Sequence, residues 1–169
     1  MLHHKSPLIV QVVGYKNTGK TTMVCRLTER FKQSGYSVGT IKHDAHSFTM
    51  DKPGSDTWQH QQSGADVTAI TSSTRAAILS SSPIPLQELI QQMAGMDLIL
   101  IEGFKNADYP KIIMLKEAAD IELLTTLSRP LLGAAWPEYR LTQPESTIPI
   151  IDLNDIQQAA ELIKNLPAT

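Results

Sequence analysis

Several features that define whole classes of protein are scarce in this sequence. It has one cysteine, Cys25, which excludes an internal disulfide and any metal site built from several thiolates. Its formal net charge is -2, a balance that argues against a general nucleic-acid binder. The longest purely apolar stretches, Leu98 to Ile101 and Ile112 to Leu115, fall far short of the roughly 20 residues that a membrane span requires.

The rest of the composition is that of an ordinary globular protein. Of the 169 residues, 41% are hydrophobic and 19% are charged. A chain of this length fits one domain that buries roughly two-thirds of its unfolded surface, so we expect a single nucleotide-binding domain over residues 1–169. The first residues, MLHHKSPLIVQVVG, lack the small-residue cleavage pattern of a secretory signal. The sequence therefore predicts a cytoplasmic protein that has no membrane partner.

The strongest signal in the chain is a short glycine-containing segment. Gly14, Gly19, Lys20 and Thr21 fit the pattern G-x-x-x-x-G-K-[ST], directly after the apolar run Leu8 to Val13. Glycines let such a loop turn its N–H groups inward, and a following helix adds partial positive charge at its first turn. This combination is typical of a loop that binds phosphates.

Each position of such a loop has a chemical task. We expect Lys20 to reach the outer phosphates of a nucleoside triphosphate and Thr21 to offer its hydroxyl to Mg²⁺. The rest of the cradle is predicted to come from Thr22 and from the backbone amides of Asn17, Thr18 and Gly19.

The order of elements predicts the fold class. Strand, loop, helix and strand follow one another from Leu8 to Lys42, which favours right-handed parallel crossovers. DVTAIT and RAAILS predict an antiparallel hairpin, and DLILIEG predicts a strand covered on both faces. Further strands are predicted in KIIML, RPLLGAAW and TIPIIDL, and helices over Thr21 to Ser34, Pro85 to Ala94 and Asn154 to Leu166. We expect an α/β protein of the P-loop NTPase type, with three layers and a mostly parallel sheet to which the hairpin is added.

A carboxylate near the magnesium ion is the second requirement of such a site. The buried strand DLILIEG offers two candidates, Asp97 at its start and Glu102 at its end. Ligands bind at the carboxyl ends of strands in sheets of this kind. Glu102 is therefore the predicted carboxylate ligand of magnesium. Glu102 and Lys20 are the predicted catalytic residues.

A polar segment follows the second predicted strand and collects several chemically active residues. Lys42, His43 and Asp51 lie in it, with two further histidines, His46 and His60. The segment fits a mobile loop that closes over a nucleotide or receives a second substrate. A solvated loop without a ligand and a transition-metal site remain alternatives, although no second compact ligand pair follows His43 and His46.

Taken together, the segments GYKNTGKTT, GTIKHDAH, DKPGSDTWQHQQSGA and DLILIEGFK resemble the molybdopterin-guanine dinucleotide biosynthesis protein B family, MobB. The resemblance covers roughly the first two-thirds of the chain. It implies a homodimeric GTP-binding protein with weak GTPase activity that assists the enzyme attaching GMP to molybdopterin.

The resemblance also assigns residues. It implies that Gly19, Lys20, Thr21 and Thr22 bind phosphates, that Thr21 and Glu102 serve Mg²⁺, and that the loop from Lys42 to Asp56 flanks the nucleotide. One departure concerns the base: the tetrapeptide N-K-x-D, common in guanine-specific switch proteins, does not occur in this chain. Guanine preference therefore depends on the resemblance alone.

Two other functions fit the same residues. An ATP-dependent small-molecule kinase or ligase shares the strand, loop and helix, and the loop from His43 to His60 would then bind an acceptor. A metal-binding accessory protein would use His43, His46 and His60.

Overall fold

The computed structural model describes residues 6–44, 48–139 and 146–167. The chain divides into two compact units, one formed by Met1–His43 and Gln92–Thr169 and the other by Asp44–Gln91. The expectation of a single domain stays a prediction, and each unit is described by itself below.

The helices and strands alternate along most of the chain. In order they are β1 (Leu8–Val13), α1 (Lys20–Gln33), β2 (Val38–Lys42), α2 (Asp56–Gln62), β3 (Val67–Thr71), β4 (Ala76–Ser80), α3 (Leu86–Gln92), β5 (Leu98–Glu102), β6 (Lys111–Leu115), α4 (Leu123–Thr126), β7 (Pro130–Ala135), β8 (Ile150–Asp152) and α5 (Ile156–Lys164). Short 3₁₀ helices span Ala118–Glu122 and Pro137–Tyr139.

The larger unit is built on a six-stranded sheet with the order β2-β5-β1-β6-β7-β8. Every pair of neighbouring strands in it is parallel. All residues of β1, β5 and β6 are buried, as expected for parallel strands covered on both faces. Their near-continuous apolar sequences therefore form the centre of the core.

Two helices of this unit pack on the core through apolar stripes. In α1, Met23, Leu27 and Phe31 are spaced i, i+4 and i+8 and are at most 2% exposed, so they share one helix face. In α5, Ala159 and Ile163 are fully buried in the same cluster. Because α1 follows β1 directly, this packing fixes the loop between them at the carboxyl edge of the sheet.

The smaller unit contains α2 and the antiparallel hairpin of β3 and β4. Ser55 caps α2, since its side chain accepts a hydrogen bond from the N–H of Trp58. The hairpin forms a two-stranded sheet of its own and exposes large apolar side chains: Val67 is 60% exposed, Ile70 53% and Ile78 74%.

The predicted fold class is confirmed: the chain has a parallel α/β sheet of the P-loop type and an antiparallel hairpin. The hairpin was predicted as an addition to the main sheet, whereas β3 and β4 form a separate two-stranded sheet. Within the described residues, no helix has the length and apolar character needed to cross a membrane.

Candidate functional site

The loop between β1 and α1 bends through left-handed backbone conformations. Asn17 has φ 60° and Gly19, the N-cap of α1, has φ 93°. The left-handed conformation at Gly19 costs glycine little, and it lets the chain enter the helix abruptly. In the described part of the chain no side chain caps α1. The N–H groups of its first turn therefore keep their hydrogen-bonding capacity for a ligand.

Two side chains of this loop brace it from within. The Thr18 hydroxyl donates to the Tyr15 carbonyl at 2.9 Å, and Thr18 is only 2% exposed. The Lys20 ammonium donates to the carbonyls of Tyr15 at 2.6 Å and Gly14 at 3.3 Å. Thr18 can thus offer a ligand only its backbone amide, whereas Lys20 lies over the loop with a flexible ammonium group.

The environment of Lys20 disfavours its charged form. Burial lowers the pKa of this lysine below its ordinary value, and the negative charge of Glu102 opposes that shift in part. An ammonium that has lost hydration gains more from a phosphate than a fully hydrated one would.

Glu102 ends β5 beside the loop and is the centre of a small charged cluster. Its Oε1 accepts the Thr21 hydroxyl at 2.8 Å and the Lys42 ammonium at 3.0 Å. Glu102 is 7% exposed. Lys42 ends β2 directly opposite Glu102 in the strand register. The parallel sheet thus brings together three residues that lie far apart in sequence, all of which the sequence predicted for the site.

The turn after Glu102 is held in an unusual conformation. Gly103 has φ 93° and Phe104 has φ 53°, a left-handed conformation that non-glycine residues rarely adopt. The Gln11 side-chain amide, buried in β1, donates to both of their carbonyls, at 3.0 Å and 2.7 Å. Strained backbone persists only where the surroundings fix it, and it is concentrated at functional sites. Gln11 supplies that restraint here.

The remaining predicted residues have different positions. Thr22 and Asn17 are exposed on the first turn of α1 and on the loop. His43 is also exposed; its N–H donates to the Glu102 carbonyl at 2.9 Å, and its ring lies 4.6 Å from that of Phe104. His43 therefore lies beside the end of β5 and the turn that follows it.

Asp51 belongs to the smaller unit and is engaged within its own segment. Its carboxylate accepts hydrogen bonds from the Lys52 N–H, the Ser55 hydroxyl and the Gln61 amide. Hydrogen bonds from Thr57 and Ser55 hold its pKa below the ordinary value. The described contacts of Asp51 organise the start of α2, and its predicted role in binding the nucleotide stays a prediction.

The transition-metal alternative finds no ligand cluster in the described residues, where no three His, Cys, Asp or Glu side chains are placed to hold one ion. His46, which this alternative requires, lies outside them.

Two residues that the sequence did not single out support the loop from its other flank. The Trp136 indole N–H donates to the Thr18 carbonyl at 2.9 Å. The Lys116 ammonium donates to the Asn17 carbonyl at 3.2 Å and lies 5.4 Å from the Trp136 ring centroid. Lys116 directly follows β6 and Trp136 directly follows β7. This position at the end of a strand was the only sequence signal that could have indicated a place near the site.

A central strand that leads through a glycine-rich loop into a helix, with a lysine over the loop and a carboxylate at the end of the adjacent strand, defines an α/β protein of the P-loop class. The model of a family described as molybdopterin guanine dinucleotide synthesis protein B, MobB, matches residues 9–135. The chain belongs to this family.

Individual relatives agree with this assignment. The probable molybdopterin-guanine dinucleotide biosynthesis adapter protein of Bacillus subtilis is 38% identical over 124 residues, which cover 71% of this chain and 72% of the relative. The adapter protein of Haemophilus influenzae is 31% identical over 168 residues, covering 97% and 91% of the two chains. The crystal structure of Bacillus subtilis MobB aligns with a TM-score of 0.78 at 32% identity, over 94% of this chain and 99% of that one.

Proposed function

We propose that this protein binds GTP with Mg²⁺ in the loop from Gly14 to Thr22 and acts as an adapter for the enzyme that attaches GMP to molybdopterin. The observation that carries the proposal is the cluster of Thr21, Glu102 and Lys42 beside a complete phosphate loop. The curated relatives supply the biosynthetic context, because their names describe adapters in molybdopterin-guanine dinucleotide biosynthesis.

The donor set fits Mg²⁺. This ion prefers hard oxygen ligands, usually one or two carboxylates or hydroxyls together with phosphate and water. The Thr21 hydroxyl and the Glu102 carboxylate lie 2.8 Å apart and are oxygen donors of this kind. When bound, Mg²⁺ would neutralise charge on the triphosphate.

The protein residues would divide the work of binding. The amides of the first turn of α1 and the Lys20 ammonium would hold the phosphates, and Glu102 would orient the Thr21 hydroxyl. A weak GTPase activity fits this division, since positioning and charge stabilisation are most of what phosphoryl transfer needs from a protein.

Titration with fluorescent GTP and ATP in the presence of Mg²⁺ tests the nucleotide site. Lys20→Ala removes the ammonium that we expect on the outer phosphates, and loss of a charged hydrogen bond worth about 2–3 kcal/mol weakens affinity roughly 30- to 150-fold. Lys16→Ala is the matched control, because it removes the same charge from an exposed position of the same loop.

The proposal predicts tighter binding of GTP than of ATP and little effect of Lys16→Ala. Weak and equal binding of the two nucleotides that survives Lys20→Ala would refute it. An ATP-dependent kinase or ligase would instead bind ATP more tightly and produce a phosphorylated or ligated acceptor.

We also propose a homodimer. Its support is the exposed apolar surface of the β3–β4 hairpin, which includes Val67, Ile70 and Ile78. A two-stranded sheet is marginally stable by itself, and its open edges can pair with another strand.

A further inference from the structure

Lys42 forms a closed triangle with the two residues that the proposed function assigns to Mg²⁺. Its ammonium donates to Glu102 Oε1 at 3.0 Å and to Thr21 Oγ1 at 3.3 Å, and the Thr21 hydroxyl donates to the same Oε1 at 2.8 Å. A lysine cation thus lies against both of the oxygens that would face the metal ion.

The two members of the ion pair differ in their freedom to move. The side chain of Lys42 is 55% exposed, whereas that of Glu102 is 9% exposed. A long exposed lysine side chain can reorient into solvent, while Glu102 is fixed at the end of a buried strand. Any exchange at this carboxylate would therefore move the lysine and leave the carboxylate in place.

Two cations cannot both lie against one carboxylate oxygen without strong mutual repulsion. A nearly buried carboxylate, in turn, needs a positive partner to offset its lost hydration. We propose that Lys42 is an exchangeable counter-ion of Glu102: its ammonium balances the carboxylate until a divalent cation displaces it. This inference rests on the proposed function for the identity of the cation as Mg²⁺.

The exchange also assigns a second position to the lysine. Lys42 is the last residue of β2 at the carboxyl edge of the sheet, the edge that also holds the phosphate loop. An ammonium released from Glu102 at this edge is close to the site proposed for the triphosphate, where it contributes positive charge. Metal binding thereby frees a cation for the phosphates.

Mn²⁺ binding to the full-length protein without nucleotide provides the test, with free Mn²⁺ measured by electron paramagnetic resonance. Lys42→Met keeps most of the side-chain stem and removes the competing charge, and Lys42→Gln serves as a second neutral variant. Because the lysine is largely exposed, we expect both variants to bind Mn²⁺ roughly 3- to 5-fold more tightly than the wild type.

Two variants act as controls. Lys42→Arg keeps the positive charge beside Glu102, so its Mn²⁺ affinity should stay close to that of the wild type. Lys32→Met removes an exposed lysine in the last turn of α1, at the end of the helix away from the phosphate loop, and it should leave the affinity unchanged. A gain confined to the Lys42→Met and Lys42→Gln variants supports the exchange.

Unchanged or weaker Mn²⁺ binding in both neutral Lys42 variants would overturn the inference. An equal gain in Lys32→Met would also overturn it, because the effect would then be one of net charge. The GTP titration of the wild type separates this inference from the proposed function. If the wild type binds GTP but the neutral Lys42 variants do not bind Mn²⁺ more tightly, only the proposed exchange is refuted. If those variants bind Mn²⁺ more tightly but the wild type does not bind GTP, only the proposed nucleotide site is refuted.

Discussion

Gly14 leaves β1 at a point where a side chain would have no room. A Cβ built there would lie 2.8 Å from the Thr18 hydroxyl oxygen and 2.9 Å from the Met114 Cβ. Neither atom can move freely, because Thr18 braces the loop and Met114 is fully buried in β6. The first glycine of the loop is therefore required by close packing between the loop and the sheet.

We expect Gly14→Ala to lower the free energy of unfolding by about 1–3 kcal/mol, the usual cost of overpacking. Urea denaturation measures the change. Gly95→Ala is the control, since a Cβ at Gly95 meets no atom within 4 Å among the described residues. If the two substitutions changed the free energy of unfolding equally, close packing would not be the reason for a glycine at position 14.

At the scale of elements, β1 combines a core strand with a support for the site. Five of its six residues are apolar, and the one polar residue, Gln11, is fully buried. Its amide donates to the carbonyls of Gly103 and Phe104 and accepts the Tyr109 N–H at 3.3 Å. One side chain thus holds both ends of the loop that follows β5.

Gln11→Met preserves most of the volume and removes these hydrogen bonds. The free energy of unfolding should fall by about 1–3 kcal/mol, because partly buried backbone groups lose their partners. Amide hydrogen exchange should also accelerate in residues 104–109. Gln158→Met makes the same change at an exposed position of α5 and should alter neither quantity. If Gln11→Met also left both quantities unchanged, the proposed restraint by Gln11 would be contradicted.

The first residue of β6 is a lysine with no exposed surface. The Lys111 ammonium donates to the carbonyls of Ala107 at 2.6 Å and Tyr109 at 3.0 Å and to the Ser128 hydroxyl at 3.2 Å. Burial lowers its pKa below the ordinary value of 10.5, although the charge of Asp108 acts in the opposite direction. The folded protein therefore releases this proton at a lower pH than the unfolded chain does.

The sign of the resulting pH dependence follows from proton binding. Between the lowered pKa and 10.5, the unfolded state binds more protons, so stability rises with pH. Relative to Lys111→Met, the wild type should gain stability as the pH increases through this alkaline window. Urea denaturation at a series of pH values measures it, and Lys32→Met on the surface of α1 provides the baseline. If the stability of the wild type relative to Lys111→Met fell as the pH rose through this window, a lowered pKa of Lys111 would be contradicted.

The sequence predicted the elements of the sheet closely because their apolar runs are unbroken. Leu8–Val13 and Lys111–Leu115 have the predicted bounds, and α1 ends at Gln33, one residue before the predicted end. The 3₁₀ turn at Ala118–Glu122 and α4 were not predicted, since AADIE and LLTT are too short to show a helical period.

At the scale of the whole molecule, sequence patterns predicted one flank of the site and missed the other. Thr21 and Glu102 belong to recognisable motifs, and parallel strands bring such strand ends to one edge. Lys116 and Trp136 lack a motif, and their contacts with the loop follow from the order β1-β6-β7 in the sheet. Strand order depends on tertiary packing, which local patterns do not specify.

The oligomeric state is a property of the whole molecule as well. If the hairpin forms the dimer surface, light scattering should show a dimer for the wild type, and Ile78→Lys should shift it toward monomer by placing a charge on an apolar surface. Thr74→Lys adds the same charge at the exposed turn of the hairpin and should leave the dimer intact. A monomeric wild type at micromolar concentration would remove the proposal.

The contact between Trp136 and the phosphate loop has a practical consequence. The chain has only two tryptophans, and the other, Trp58, belongs to α2 in the smaller unit. In a Trp58→Phe protein, all indole emission would come from a ring whose N–H bonds to the Thr18 carbonyl. Any ligand that reshapes the loop would change the polarity around that ring, so the protein carries its own fluorescent reporter of occupancy.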